Sequence, residues 1–213
     1  ASFVGITIAT QGLVSQRVGG EDPSGARRAA FHGIVLSFGI GVVLTVLVSL
    51  LAADVVALFG VESSVADLAT TYLATYALGF PLMASSDAIE MGFVGWGDSR
   101  AALYINVTAV VVNVVLDPVL IFGYGVPGFE GMAIQGAALA TVVGYASGFG
   151  LASVMFLRGR DGYTLTRSAA TFRLDDAREL VAIGLPRSGQ HAASQSARVL
   201  MIAIAAAAGG SAA

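Results

Sequence analysis

Runs of apolar residues about as long as a bilayer is thick recur along this chain, and they leave few folds open to it. The hydrocarbon core of a membrane is crossed by about 20 apolar residues in a helix, and every backbone polar group inside it must find a partner within the protein. Six segments reach or approach that length: residues 2–15, 29–53, 66–94, 101–122, 132–157 and 180–213. Gly, Pro, Asp and Arg punctuate the joints between them. Only 12% of the 213 residues are charged, about half of what a soluble domain carries. The predicted fold is therefore all-α, a polytopic transmembrane helix bundle in the cell (plasma) membrane, with the lipid bilayer as its surroundings.

Arginine placement predicts the orientation. Arg17, Arg27 and Arg28 lie in the first joint, Arg100 in the third, and Arg158, Arg160, Arg167, Arg173 and Arg178 in the fifth. The second and fourth joints hold none, only Asp54, Glu62, Asp67 and Glu130. The positive-inside rule puts the arginine-bearing joints in the cytoplasm. In the fifth joint, Phe172, Leu174, Ala177, Leu180 and Val181 recur at helical spacing against Asp175, Asp176, Arg178 and Glu179, an amphipathic pattern suited to a membrane surface. The expected division is residues 1–157 as one lobe, 158–179 as a cytoplasmic amphipathic connector and 180–213 as the first helix of a second lobe. The first run opens without a charged segment ahead of it and the last stops part-way along, so a longer parent protein is expected.

One stretch, VNVVLDPVLIFGYG from Val112 to Gly125, sets a carboxylate inside an apolar run. An ionisable group at that depth costs a few kcal/mol or more, which makes Asp117 a functional residue by expectation. Asn113 precedes it by one turn on the same face, and Asn106 lies within about 40° of both at 3.6 residues per turn. Pro118 has no N–H, so the carbonyl of Val114 is freed from helical bonding. A carboxylate, an amide and a free carbonyl within about one turn form a candidate site for a proton or Na⁺, with Asp117 and Asn113 as the Na⁺ ligands. Asn106 is expected to act in packing or capping.

Other polar residues interrupt the spans. Tyr72, Tyr76, Met83, Asp87 and Glu90 share one face of the 66–94 segment, which Pro81 can kink. Two like charges one turn apart repel in a dry bundle, so one of Asp87 and Glu90 is expected to carry a proton, as a proton carrier needs. Gln11 stands in a stripe with Thr7 and Ser15, and Gln190 beside His191; such stripes fit either a water-filled cleft or a seam of interhelical hydrogen bonds. Gly136, Ala140, Gly144 and Gly148 make a small-residue seam for close helix packing, and Thr141 beside it can aim its hydroxyl at the site. The chain has no cysteine and no lysine. With no GxSxG, HExxH, Walker or zinc-ligand pattern either, enzymatic chemistry is not expected, nor a cofactor, nor nucleic-acid binding.

From Gly95 to Gly144 the residues GWGDSRAALYINVTAVVVNVVLDPVLIFGYGVPGFEGMAIQGAALATVVG resemble the MATE (multidrug and toxic compound extrusion) family. The match runs through Gly95–Gly97–Asp98–Ser99–Arg100, Asn106, Asn113 to Gly123, and Gly136 to Thr141. RVGGEDPSGARRA resembles the family's first cytoplasmic loop, and Gly184 to Pro186 the turn that opens its second half. The resemblance implies helices two to seven of a twelve-helix, two-lobed, monomeric exporter, with helix one and helices eight to twelve lying outside this sequence. It further implies cation-coupled antiport, H⁺ or Na⁺ against a drug or organic cation, by alternating access. By similarity to the DinF-like and archaeal branch, Asn113, Asp117 and Thr141 match a polar cluster of the first lobe, and Tyr72 aligns with another member. Glu90 stands where that branch commonly has Asn, so the coupling ion is expected to be handled differently here. Tyr72, Asp87, Gln11 and Gln190 are the candidates for the substrate cleft. The alternative within the superfamily is a lipid-linked oligosaccharide flippase, which needs several cleft arginines; only Arg198 offers itself.

Overall fold

The computed structural model describes residues 4–160, 162–164, 166 and 169–209; Arg167 and the chain ends lie outside the described residues. These residues form seven helices: α1 (Val4–Gly19), α2 (Pro23–Ala57), α3 (Ser63–Ala77), α4 (Phe80–Trp96), α5 (Ser99–Phe122), α6 (Ala133–Arg158) and α7 (Leu174–Gly209). The all-α prediction holds for them. Their boundaries follow from local chemistry. Asp22 caps α2 by accepting the Gly25 N–H at 2.8 Å, with Pro23 in the first turn. Asp98 does the same for α5 through the Ala101 N–H at 3.2 Å. Gly97, at φ 105°, ends α4 in the left-handed region that a side chain would disfavour.

The single span expected over 66–94 is two helices. α3 stops at Ala77 and α4 starts at Phe80. Pro81 is the cause: it has no N–H for the Ala77 carbonyl four residues back, and its ring crowds that position. The orphaned carbonyl instead accepts the Thr45 hydroxyl of α2 at 2.6 Å. As a result, only α2, α5 and α6 are individually long and apolar enough to cross a membrane among the described residues. The final helix also differs from expectation. It begins at Leu174, with Asp175 and Asp176 in the first turn where the helix dipole favours acids. Residues 174–179 of the expected connector are thus the head of α7, and Pro186 lies inside the helix.

α5 packs along α6; α1, α2 and α4 pack mutually; α3 bridges α2 and α6; and α7 packs on α1 and α2. The best-buried apolar cluster gathers at the arginine-bearing end, from Leu13 and Ala26 through Phe93 and Ile105 to Phe156, Tyr163 and Leu180. Tyr163 is the plug of this end, its ring 4.9 Å from Phe93, 5.0 Å from Trp96 and 4.9 Å from Phe156. Burial pushes the Tyr163 phenol up from its ordinary value. Towards the opposite end the helices bare apolar side chains, Leu50, Leu58 and Phe122 among them, as a lipid-facing surface should.

Candidate functional site

The site is built where α5 and α6 come closest. A Cβ placed on Gly144 would stand 2.7 Å from the Ala109 carbonyl and 3.1 Å from the Asn113 Cβ; one on Gly136 would stand 2.2 Å from the Leu120 carbonyl. Bare glycines at these positions let the two backbones touch, as the small-residue period predicts. That approach brings Thr141 of α6 to Asn113 of α5. The Asn113 amide donates to the Thr141 hydroxyl oxygen at 3.3 Å and to the Asp117 carboxylate at 3.5 Å. The Thr141 hydroxyl donates to the Ala137 carbonyl at 3.0 Å.

Asn113, Asp117 and Thr141 are all half-buried. The two contacts from Asn113 sit at the long, weak end of hydrogen bonding, so the carboxylate is neighboured but not locked. Asp117 makes no salt bridge among the described residues. Nor do three or more His, Cys, Asp or Glu side chains gather into a metal-binding group among them. The arrangement is one carboxylate beside a neutral amide: the Asn113 N–H faces Asp117 and links it to the Thr141 hydroxyl, while Pro118, inside the helix, offers no N–H to the Val114 carbonyl one turn back. Chemically this suits a single positive charge.

Glu90, expected to act with these three, belongs to a second cluster. It is buried on α4, accepts the Ser86 hydroxyl at 3.2 Å and accepts the Asn106 amide, which also donates to the Ala102 carbonyl at 3.0 Å. Asn106 and Asp117 are eleven residues apart on α5, about 16 Å along the axis at 1.5 Å per residue. The two clusters are joined by a cleft of about 140 Å³ lined by Asn106, Ala109, Val110, Asn113, Thr141 and Tyr145. That volume holds a few waters at roughly 30 Å³ each, and falls short of the ~300 Å³ at which drug-sized pockets begin.

The remaining candidates scatter around this core. Tyr72 stacks on Tyr76 with ring centroids 5.8 Å apart, and Tyr76 meets Phe80 edge to face at 5.6 Å. Tyr145 is within electrostatic range of Tyr72, Tyr76 and Asp87, and Asp87 is within range of Glu90. Gln11 is half-buried on α1 and Gln190 exposed on α7, and neither lines the cleft. Asn106, Ser86 and Tyr145 are the residues the sequence reading left out of the site. Two signals pointed to them: Asn106 shares a helical stripe with Asn113, and Tyr145 follows Thr141 by four residues.

Similar proteins share this architecture. The MatE family profile matches residues 1–119. Probable multidrug resistance protein YoeA of Bacillus subtilis is 29% identical over 157 residues, 74% of this chain and 33% of its own length. Probable multidrug resistance protein NorM of Thermotoga maritima is 25% identical over 189 residues, 87% of this chain and 39% of its own. This chain thus spans about a third to two-fifths of the length of these relatives. A crystal structure described as MATE in the straight conformation superposes with a TM-score of 0.80 at 23% identity, covering 93% of this chain and 43% of that one; it shows a common fold. With its apolar spans, the chain is a multi-pass protein of the cell membrane. On a family match that covers more than half its residues, the chain belongs to the MatE family, whose members are transporters and not enzymes.

Proposed function

We propose that this chain is the greater part of the first lobe of a cation-coupled multidrug exporter, and that Asn113, Asp117 and Thr141 hold the coupling ion, H⁺ or Na⁺. The observation that carries the reading is Asp117 itself: a half-buried carboxylate in an apolar helix, with one neutral partner, Asn113, which in turn donates to Thr141, and no built-in counter-charge among the described residues. Such a group demands a mobile cation or a proton. The names of YoeA and NorM support drug efflux as the transported load, and the two-lobed plan of alternating access supplies the route. The cleft between α5 and α6 is of a size for the ion and its water. The drug, a small organic cation by this reading, meets the Tyr72, Tyr76 and Asp87 face instead.

The second cluster, Glu90 with Asn106 and Ser86, sits at the other end of the same cleft. It gives the ion a further stop on the way to the cytoplasm, in keeping with a carboxylate where the DinF-like branch commonly has an amide. A flippase gains no support, since the cleft is lined by amides, a hydroxyl and a phenol, while Arg198 is exposed on α7. The test is Asp117→Asn in the full-length protein. Drug resistance should vanish while abundance in the membrane stays at the parent level. Parent-level resistance in that variant would overturn the assignment.

A further inference from the structure

α2 is longer than a bilayer needs. Its 35 residues span about 52 Å at 1.5 Å per residue, against a hydrocarbon core of ~30 Å. The surplus lies at its start, where Arg27, Arg28 and His32 precede the uncharged, mostly apolar stretch that opens at Gly33. His32 is fully buried there. Its Nδ1 lies 2.7 Å from the Arg28 carbonyl one turn back. Its Nε2 accepts the backbone N–H of Arg173, also at 2.7 Å, across 141 residues of sequence. An amide N–H only donates, so Nε2 is the bare nitrogen and Nδ1 carries the hydrogen that goes to Arg28. Phe172 packs on the ring at 5.1 Å and Phe31 meets it edge-on at 5.5 Å.

The same end of α7 is held by charge. Arg17 of α1 pairs with Asp176 at 3.4 Å and with Glu179, and Arg28 of α2 reaches Asp176 at 3.7 Å. Ala177 and Leu180 are buried beneath these pairs. Further along, α1 and α7 approach so closely that a Cβ on Gly5 would stand 2.1 Å from the Gly184 carbonyl. Beyond Pro186, the residues of α7 described down to Arg198 are mostly exposed.

We propose that His32 is the positioning residue of a clasp at the arginine-bearing end: its imidazole ties the approach to α7, at Arg173, onto α2, so that the head of α7 moves with α1 and α2. The Arg17–Glu179 pair is partly open to water, where ion pairs count for little; the Asp176 pairs are more shielded and share the hold. The buried imidazole hydrogen bond is the specific part. This inference concerns how two elements are held together and is independent of which ion is coupled.

The experiment uses the full-length protein with Ala177→Cys as its one reactive thiol; Ala177 is 5% exposed, so a water-soluble maleimide reaches that sulfur only when the head of α7 lifts. His32→Phe keeps a ring among Phe31 and Phe172 but removes the acceptor, and it should label about tenfold faster, the effect of losing one buried hydrogen bond. His32→Gln puts an amide oxygen within reach of the Arg173 N–H and should stay within about twofold of the parent. His32→Asn is polar but too short to reach, and should label like the Phe variant, so the test survives if His32→Phe does not fold. A ring needed only for packing gives the opposite order, Phe protected and Gln exposed. That order, or equal rates for all four proteins, would overturn the clasp.

Discussion

A carboxylate inside an apolar helix has three ways to lower its cost: take up a proton, pair with a resident base, or hold a cation from solution. Asp117 has no resident base among the described residues, which leaves the two routes that transport can use. Its partners then matter in proportion to what they touch. Asn113 neighbours both Asp117 and Thr141, and a hydrogen bond to a charged group is worth roughly 1.5–3 kcal/mol. Asn113→Leu should therefore weaken the coupling ion's apparent affinity by about tenfold or more, read from the ion dependence of efflux; an unchanged dependence would remove Asn113 from the site. A second carboxylate works on stability alone. The Gly25 amide and then the Ser24 hydroxyl hold Asp22 below its ordinary value of 3.8. A depressed folded value means the cap favours the folded state at neutral pH and loses that contribution as the pH falls through the folded value. Asp22→Ala should lower stability at pH 7 by roughly 0.5–1 kcal/mol, the low end of capping effects because the side chain is half exposed. The gap should narrow in thermal unfolding as the pH falls below 3.8 and through the depressed folded value; a gap that does not change with pH would contradict the cap.

At the scale of elements, the fit of α6 against α5 places the site, and the break between α3 and α4 is held from α2. Gly144→Leu forces a side chain into the Ala109 carbonyl and the Asn113 Cβ. It should cost about 1–3 kcal/mol and abolish efflux, by parting Thr141 from Asn113; full activity with intact stability would show that the close approach is not needed. Thr45→Val leaves the Ala77 carbonyl with no hydroxyl to accept and should cost about 1–3 kcal/mol in thermal unfolding, while a neutral result would mean water satisfies that carbonyl. These two elements also mark where sequence reading succeeds and where it stops. The seam on α6 is legible because a glycine or alanine every fourth residue has one physical use in an apolar helix. The break at Leu78 and Gly79 is not. Apolar residues run unbroken across it, and a proline at 81 reads equally as a kink or as the first turn of a new helix. The carbonyl that Pro81 orphans is met by a hydroxyl from another helix, a contact that no local pattern reveals. The pairing of Glu90 with Asn106 was hidden for the same reason: each residue is conspicuous alone, but that α4 faces α5 there is a fact of packing.

For the whole molecule, composition carried the reading far, since a bilayer permits so few folds that an all-α bundle follows from hydrophobicity alone. The functional reading rests on less, on whether the cation that Asp117 demands is the one that drives transport. Full-length protein in sealed vesicles, loaded with a fluorescent organic cation and given a Na⁺ gradient or a pH gradient separately, measures this directly. The account predicts that at least one gradient drives dye movement in the parent and that neither does in Asp117→Asn. Dye movement that ignores both gradients, or that follows a gradient equally well in Asp117→Asn, would contradict it.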